Sequence, residues 1–205
     1  MNKMRIRRGL PAWLPVLGLL IFAYGLSPAG HASSRNVDAP AQANQKIASS
    51  ILADAGKAAW VGEGKSPHII YIFFDPNCPY CDKLYHEFRP WVEQNKVQLR
   101  WLPLGYLMTT SLGKAASILE AKDPAAALRT NETGFSRANG FGQITEDPLP
   151  RRETVRNIRA NEKLLLRSGR RLVPTMVFRL ADGTPVLMRG APEEMVLQQI
   201  MEQIK

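Results

Sequence analysis

Reactive and metal-binding side chains are scarce in this chain of 205 residues, which has two cysteines and three histidines. A structural zinc site needs four ligands. The single Cys-x-x-Cys supplies two, and beyond residue 32 only His68 and His86 remain, so no metal is expected. A purely structural disulfide across so short a loop would stabilise little. There is no internal repeat. No acidic residue occurs in the first 32 positions. The apolar run at 10–26 is short for a membrane span and is interrupted by Pro11 and Pro15.

What the start does contain is an address pattern. Lys3, Arg5, Arg7 and Arg8 precede the apolar run, and Gly30-His31-Ala32 offers small residues for cleavage. Residues 1–32 therefore read as a signal peptide, with an uncleaved anchor as the alternative; both place the rest of the chain outside the cytoplasm, in the periplasm. No cysteine lies near Ala32 to carry a lipid. Disulfides persist in such a compartment. The formal charge of +9 falls to +5 without this segment, which carries four Lys or Arg and no acid. A balance so mildly basic points to no nucleic-acid partner. Arg152, Arg156, Arg159, Lys163 and Arg167 recur at helical spacing beside Val155, Ile158, Leu165 and Leu166. This stripe reads first as a solvated helix face, and second as a dock for an acidic client or anionic lipid.

The two cysteines sit in Cys78-Pro79-Tyr80-Cys81, between a strand-like apolar run at 68–74 and a helix-like run from 82 onward. That context makes the tetrapeptide a candidate redox centre, with both thiols on the first turn of a helix and close enough to bond. Residues 33–44 read as a flexible lead, and 45–59 as a helix with Ile47, Ile51, Leu52 and Ala55 at helical spacing. Together, 33–66 form a lead and linker helix before a main domain at 67–205. There the spacing predicts a strand at 68–74, a helix over 78–93 kinked or cut at Pro90, and a strand at 97–104. Helices follow at 111–121, after Asp123-Pro124, and at 152–168, within an insert spanning about 106–170. Strands at 173–180 and 185–189 turn around Asp182-Gly183, and a last helix opens at Pro192. The order β-α-β, helical insert, β-β-α is an α/β thioredoxin fold with an insertion.

Thiolate is the attacking species in disulfide exchange. Cys78, at the helix N-terminus, faces unpaired N–H groups and the positive end of the helix dipole, which lower its pKa. Cys81, one turn in and more buried, stays a thiol until called on. Pro79 suits the first helical turn. No cofactor is needed beyond the Cys78–Cys81 disulfide itself.

The stretch Phe74-Asp75-Pro76-Asn77-Cys78-Pro79-Tyr80-Cys81 resembles the DsbC/DsbG family of periplasmic thiol:disulfide interchange proteins, and DsbG most of all. The likeness continues through Arg89-Pro90-Trp91-Val92, Ala121-Lys122-Asp123-Pro124-Ala125, Asn161-Glu162-Lys163-Leu164 and Gly190-Ala191-Pro192. It implies a thiol–disulfide oxidoreductase acting on cysteine-containing client proteins and reset by a membrane redox partner. It also implies that Val173-Pro174-Thr175 forms a cis-proline loop beside the cysteines and binds the client. The family's N-terminal dimerisation domain has no room in the 30 or so residues between the signal segment and Trp60, so a monomer is expected. Family members have Thr before the proline, whereas DsbA has Val, so Val173 leans toward an oxidising pair. Thioredoxin and DsbA carry a buried acid six residues before the first cysteine, where this chain has Ile72. The direction of exchange stays open: an oxidant, a reductase or isomerase, or a reductase of sulfenic acids. A peptide-binding or chaperone module on the same fold is the non-enzymatic alternative.

Overall fold

The computed structural model describes residues 39–136, 138 and 141–204. The expected leader at 1–32 and the first part of the lead lie outside the described residues. Among those described, no helix is long and apolar enough to cross a membrane.

Five strands form one sheet in the order β1-β3-β2-β4-β5. Strand β2 (Ile69–Phe74) lies at its centre, parallel to β3 (Gln98–Pro103) and antiparallel to β4 (Thr175–Arg179). Its sequence Ile-Ile-Tyr-Ile-Phe-Phe is buried from Ile70 onward, as a strand covered on both faces should be. Strand β5 (Pro185–Arg189) pairs with β4 across the expected hairpin. Helix α2 (Pro79–Glu93) connects β2 to β3, and α3 (Ser111–Glu120), α4 (Pro124–Thr133) and α5 (Arg152–Leu166) form the insert. The last helix, α6 (Glu194–Gln203), closes the fold. Asp123 caps α4, its carboxylate accepting from Ala126 N–H at 3.0 Å.

Four expectations change. Helix α1 (Ala39–Ala55) begins inside the stretch read as a flexible lead and ends four residues sooner than predicted. It is also no free-standing linker. Ala48, Ile51 and Ala55 are fully buried in the main core, packed against β4 and β5, because the sheet there needs an apolar cover. A strand that the sequence does not announce, β1 (Val61–Glu63), adds antiparallel to β3 at the sheet edge. Three residues are too few to show a period. Gly64 ends it at φ +78°, where a Cβ would stand 2.3 Å from the Val97 carbonyl oxygen.

Helix α2 also runs unbroken through Pro90 to Glu93. In α5 the inward face is Thr154, Ile158, Asn161, Leu164 and Leu165, while Leu166 points out at 50% exposure. Asn161 takes a core position because its amide donates to Ala59 O (2.8 Å) and Pro103 O (3.1 Å), tying the insert to the sheet. The basic stripe is exposed, and Arg167 pairs with Asp54 of α1 at 2.7 Å.

Large aromatics fill the space under α2. Phe73, Phe74, Tyr85, Phe88, Trp101 and Phe178 are fully buried, each contributing on the order of 1.5–3 kcal/mol relative to exposure. Phe74 meets Trp101 edge-on at 5.5 Å. This rigid floor sets the height of the first turn of α2.

Candidate active site

Cys78 is the N-cap of α2, with φ −91° and ψ 114°, and Pro79 follows at the first helical position. Its N–H donates to Asp75 O at 2.9 Å, and its carbonyl receives Cys81 N–H (3.0 Å) and Asp82 N–H (3.1 Å). Both cysteines are free thiols. Cys81 is fully buried and Cys78 is 3% exposed, so the first cysteine is more sheltered than the sequence led one to expect. Tyr80, between them, stands out at 64%.

The Val173–Pro174 peptide is cis. Its loop lies against the cysteines, and the Cys78 thiol donates to the Val173 carbonyl at 3.7 Å. Thr175 does not share this surface. It is fully buried at the start of β4, with its hydroxyl donating to Leu172 O at 2.7 Å. The structure thus brings Cys78, Cys81, Val173 and Pro174 together and turns Thr175 inward.

The two thiols are driven apart. The Cys78 pKa is lowered, first by the hydrogen bond from the Cys81 thiol, against burial, and then by the N–H groups of Cys81 and Tyr80. The helix terminus invoked from the sequence contributes through those N–H groups, but the neighbouring thiol is the larger cause. Cys81 is pushed well up by burial and then by its bond and proximity to Cys78. Both effects favour the negative charge at Cys78 over Cys81, so Cys78 is the more readily ionised of the pair.

Several polar residues that hold this geometry carry no advance signal beyond their place beside the motif. Asp75 is fully buried. Its Oδ1 accepts from Asn77 N–H (3.0 Å) and Ser111 Oγ–H (2.7 Å), and its Oδ2 from the N–H groups of Tyr106 (2.9 Å) and Leu107 (3.0 Å). One carboxylate thereby ties the loop before Cys78 to the loop after β3. Asp-Pro-Asn is an Asx-turn sequence, so this much was recoverable from local chemistry. Asn77 Nδ2 donates to Thr110 and Ser111, and its side-chain Oδ1 accepts from buried Lys114 at 2.9 Å. The Lys114 ammonium also donates to Gly142 O at 2.6 Å, and burial lowers its pKa.

On the other side of α2, Glu63 accepts both Arg89 guanidinium nitrogens (3.0 and 2.8 Å), Trp101 Nε1–H (3.0 Å) and the Tyr85 hydroxyl (3.3 Å). Burial, followed by the Glu63 charge, pushes the Tyr85 phenol up to about 12. Asp82 Oδ1 lies 3.1 Å from His86 Nε2. Glu132 of α4 is 1% exposed. Among the described residues no group of three or more His, Cys, Asp or Glu is arranged to hold a metal ion.

A dithiol at the cap of the helix after the central strand, faced by a cis-proline loop, is the candidate site of a thioredoxin-like fold. Residues 56–205 match the thioredoxin-like domain family, and the chain belongs to it. It is 32% identical to the thiol:disulfide interchange protein DsbG of Pseudomonas aeruginosa over 147 residues, 71% of this chain and 56% of that protein. It is also 32% identical to DsbG of Escherichia coli over 168 residues, 77% of this chain and 66% of that protein. The chain thus spans between about half and two thirds of these relatives, and the resemblance drawn from its motifs holds. In fold it is similar to a linker-deletion variant of Proteus mirabilis ScsC (TM-score 0.64, 19% identity, covering 82% of this chain and 87% of that one). It is likewise similar to the thiol-disulfide exchange protein alpha-DsbA2 of Wolbachia pipientis (TM-score 0.56, 16% identity, covering 80% and 98%).

Proposed function

We propose that the chain is an exported, periplasmic thiol–disulfide oxidoreductase that exchanges disulfides with client proteins through Cys78 and Cys81, working mainly as an oxidant. The observation that carries this is the asymmetry of the pair: Cys78 is lowered and faces the Val173 carbonyl, while Cys81 is raised and fully buried. A client thiolate attacks Cys78 of the disulfide form, Cys81 leaves, and a second client thiolate displaces Cys78 from the mixed disulfide.

Stabilising the Cys78 thiolate stabilises the reduced form, which favours oxidation of the client. Known pairs span roughly −270 to −120 mV, and this one belongs in the oxidising half. Val173 before the cis proline supports the same direction. Exposed Tyr80, Leu107, Met108 and Leu172 border the cysteines or their loops and suit an extended, partly apolar client segment. Both cysteines and the proline loop come from one chain, so a monomer suffices, and a membrane redox partner resets the pair.

The test is the redox state of Cys78 and Cys81 in living cells, trapped by acid and read by thiol alkylation. A pair held mostly as disulfide is expected. A pair held mostly as dithiol would instead assign reductase or isomerase work. A Cys78→Ser protein with undiminished biological activity would make the chain a peptide-binding module.

A further inference from the structure

Three carboxyl side chains lie buried against α2: Glu63 of β1, Asp82 of α2 itself and Glu132 of α4, with 8%, 2% and 1% exposure. Glu63 has the Arg89 guanidinium, and Asp82 has His86. Glu132 is held differently. Its Oε1 accepts from Asn131 Nδ2 at 3.0 Å, while its buried Oε2 has no hydrogen-bond partner among the described residues. The same Asn131 nitrogen donates to Pro76 O at 2.9 Å, two residues before Cys78. The carboxyl is thereby tethered to the loop that sets the dithiol, and His86 Nε2 lies 3.3 Å from the Glu132 carbonyl oxygen. A buried carboxyl with one oxygen unpartnered and no cation is best satisfied when it carries a proton.

We propose that Glu132 is the proton-exchanging acid of the dithiol site, coupled to Cys81 from the insert helix in place of the acid missing at Ile72. Ile72 is fully buried in β2 and has no proton to give. The titratable groups that act on Glu132 are Cys78, Cys81, Asp82 and His86 on α2 and its cap, and Glu63 on β1. Burial raises the Glu132 pKa well above the usual range; Asn131 opposes this, and the charges of Asp82, Cys78 and Glu63 add to it. Charge on Glu132 in turn raises Cys81, so the two protonation states are linked.

This rests on the oxidoreductase reading and specifies its proton path. When a client thiolate attacks Cys78, the Cys78–Cys81 bond breaks and its electron pair goes to Cys81. That sulfur is fully buried and needs a proton, which the neutral Glu132 carboxyl supplies, becoming a carboxylate. The second client thiolate then forms the client disulfide and releases Cys78 as thiolate, so two electrons pass from client to pair. Glu132 regains its proton from solvent. In the reverse direction ionised Glu132 would take the Cys81 proton. Glu132 is a positioning and proton-exchanging residue, and it makes no contact with the client.

The experiment follows reduction of the Cys78–Cys81 disulfide in the full chain by dithiothreitol from about pH 5 to 9, corrected for the thiolate fraction of the reagent. Wild type should show an inflection from Glu132. Glu132→Gln should lose it and react at least about tenfold more slowly on its acid side, a modest share of what general acids contribute. Glu132→Asp should restore the inflection. An unaltered profile and rate in folded Glu132→Gln overturns the proposal. If that variant does not fold, redox-difference infrared spectra of wild type decide. A protonated carboxyl band that changes between disulfide and dithiol, and is absent from Glu132→Asp at the same position, supports it; a redox-silent carboxyl region overturns it. A wild-type disulfide inert to the reagent would instead count against the oxidoreductase reading itself.

Discussion

Replacing Asp75 by Asn keeps the shape of the side chain and removes its charge, at a carboxylate that accepts four hydrogen bonds in full burial. The amide nitrogen of Asn cannot face Tyr106 and Leu107, where two backbone N–H groups would meet a donor. It must turn toward Ser111 and Asn77. The Ser111 oxygen already accepts from Met108 N–H and the Asn77 side chain, so the Ser111 hydroxyl and Asn77 N–H both lose their acceptor, at about 1–3 kcal/mol each. The two bonds to Tyr106 and Leu107 survive as neutral ones and lose roughly 1 kcal/mol each. The sum is roughly 4–8 kcal/mol, comparable to the ~5–15 kcal/mol that holds a typical domain together. In urea, with m near about 2 kcal/mol/M, the midpoint should drop by about 2–4 M. A midpoint within about 0.3 M of wild type would refute the argument that this carboxylate organises the two loops.

Glu63→Ala leaves Arg89, Tyr85 and Trp101 without their shared acceptor, and should cost about 3–5 kcal/mol in denaturant unfolding, far more than an exposed pair. For Glu132 the folded pKa is raised, so the native state binds the proton more tightly than the unfolded chain. Stability is complete below about pH 4.3 and declines as pH rises toward the folded value, by up to about 1.4 kcal/mol per pH unit. Glu132→Gln should flatten that decline, and parallel wild-type and variant curves would show that the carboxyl does not titrate there. Asp123→Ala removes the α4 cap and should lower stability by about 1 kcal/mol, read as a small midpoint shift with unchanged m.

Much of the sheet was legible because its strands obey short-range rules. The apolar run of β2, the Asp182-Gly183 turn and the Pro79 and Asp123 helix starts need only neighbours along the chain. Strand β1 was not legible, since its three residues become a strand only by pairing with β3, 40 positions away at Val61 and Trp101. The docking of α1 was hidden for a related reason. Its apolar face announces a helix, but which surface it covers depends on where β4 and β5 leave one bare.

At the candidate site, the sequence by itself determined where the two thiols stand. Cys78-Pro79-Tyr80-Cys81 after a buried strand puts two thiols on one helical turn, and the Asx turn at Asp75 follows from local hydrogen bonding. Tertiary structure alone decided their environment. It turned Thr175 inward, set the Cys81 thiol rather than the helix terminus as the main influence on Cys78, and brought Glu132 from the insert to the dithiol. Local conformation is governed by residues a few positions apart, whereas burial and charge depend on every element folded over the point in question, and no stretch of sequence contains that information alone.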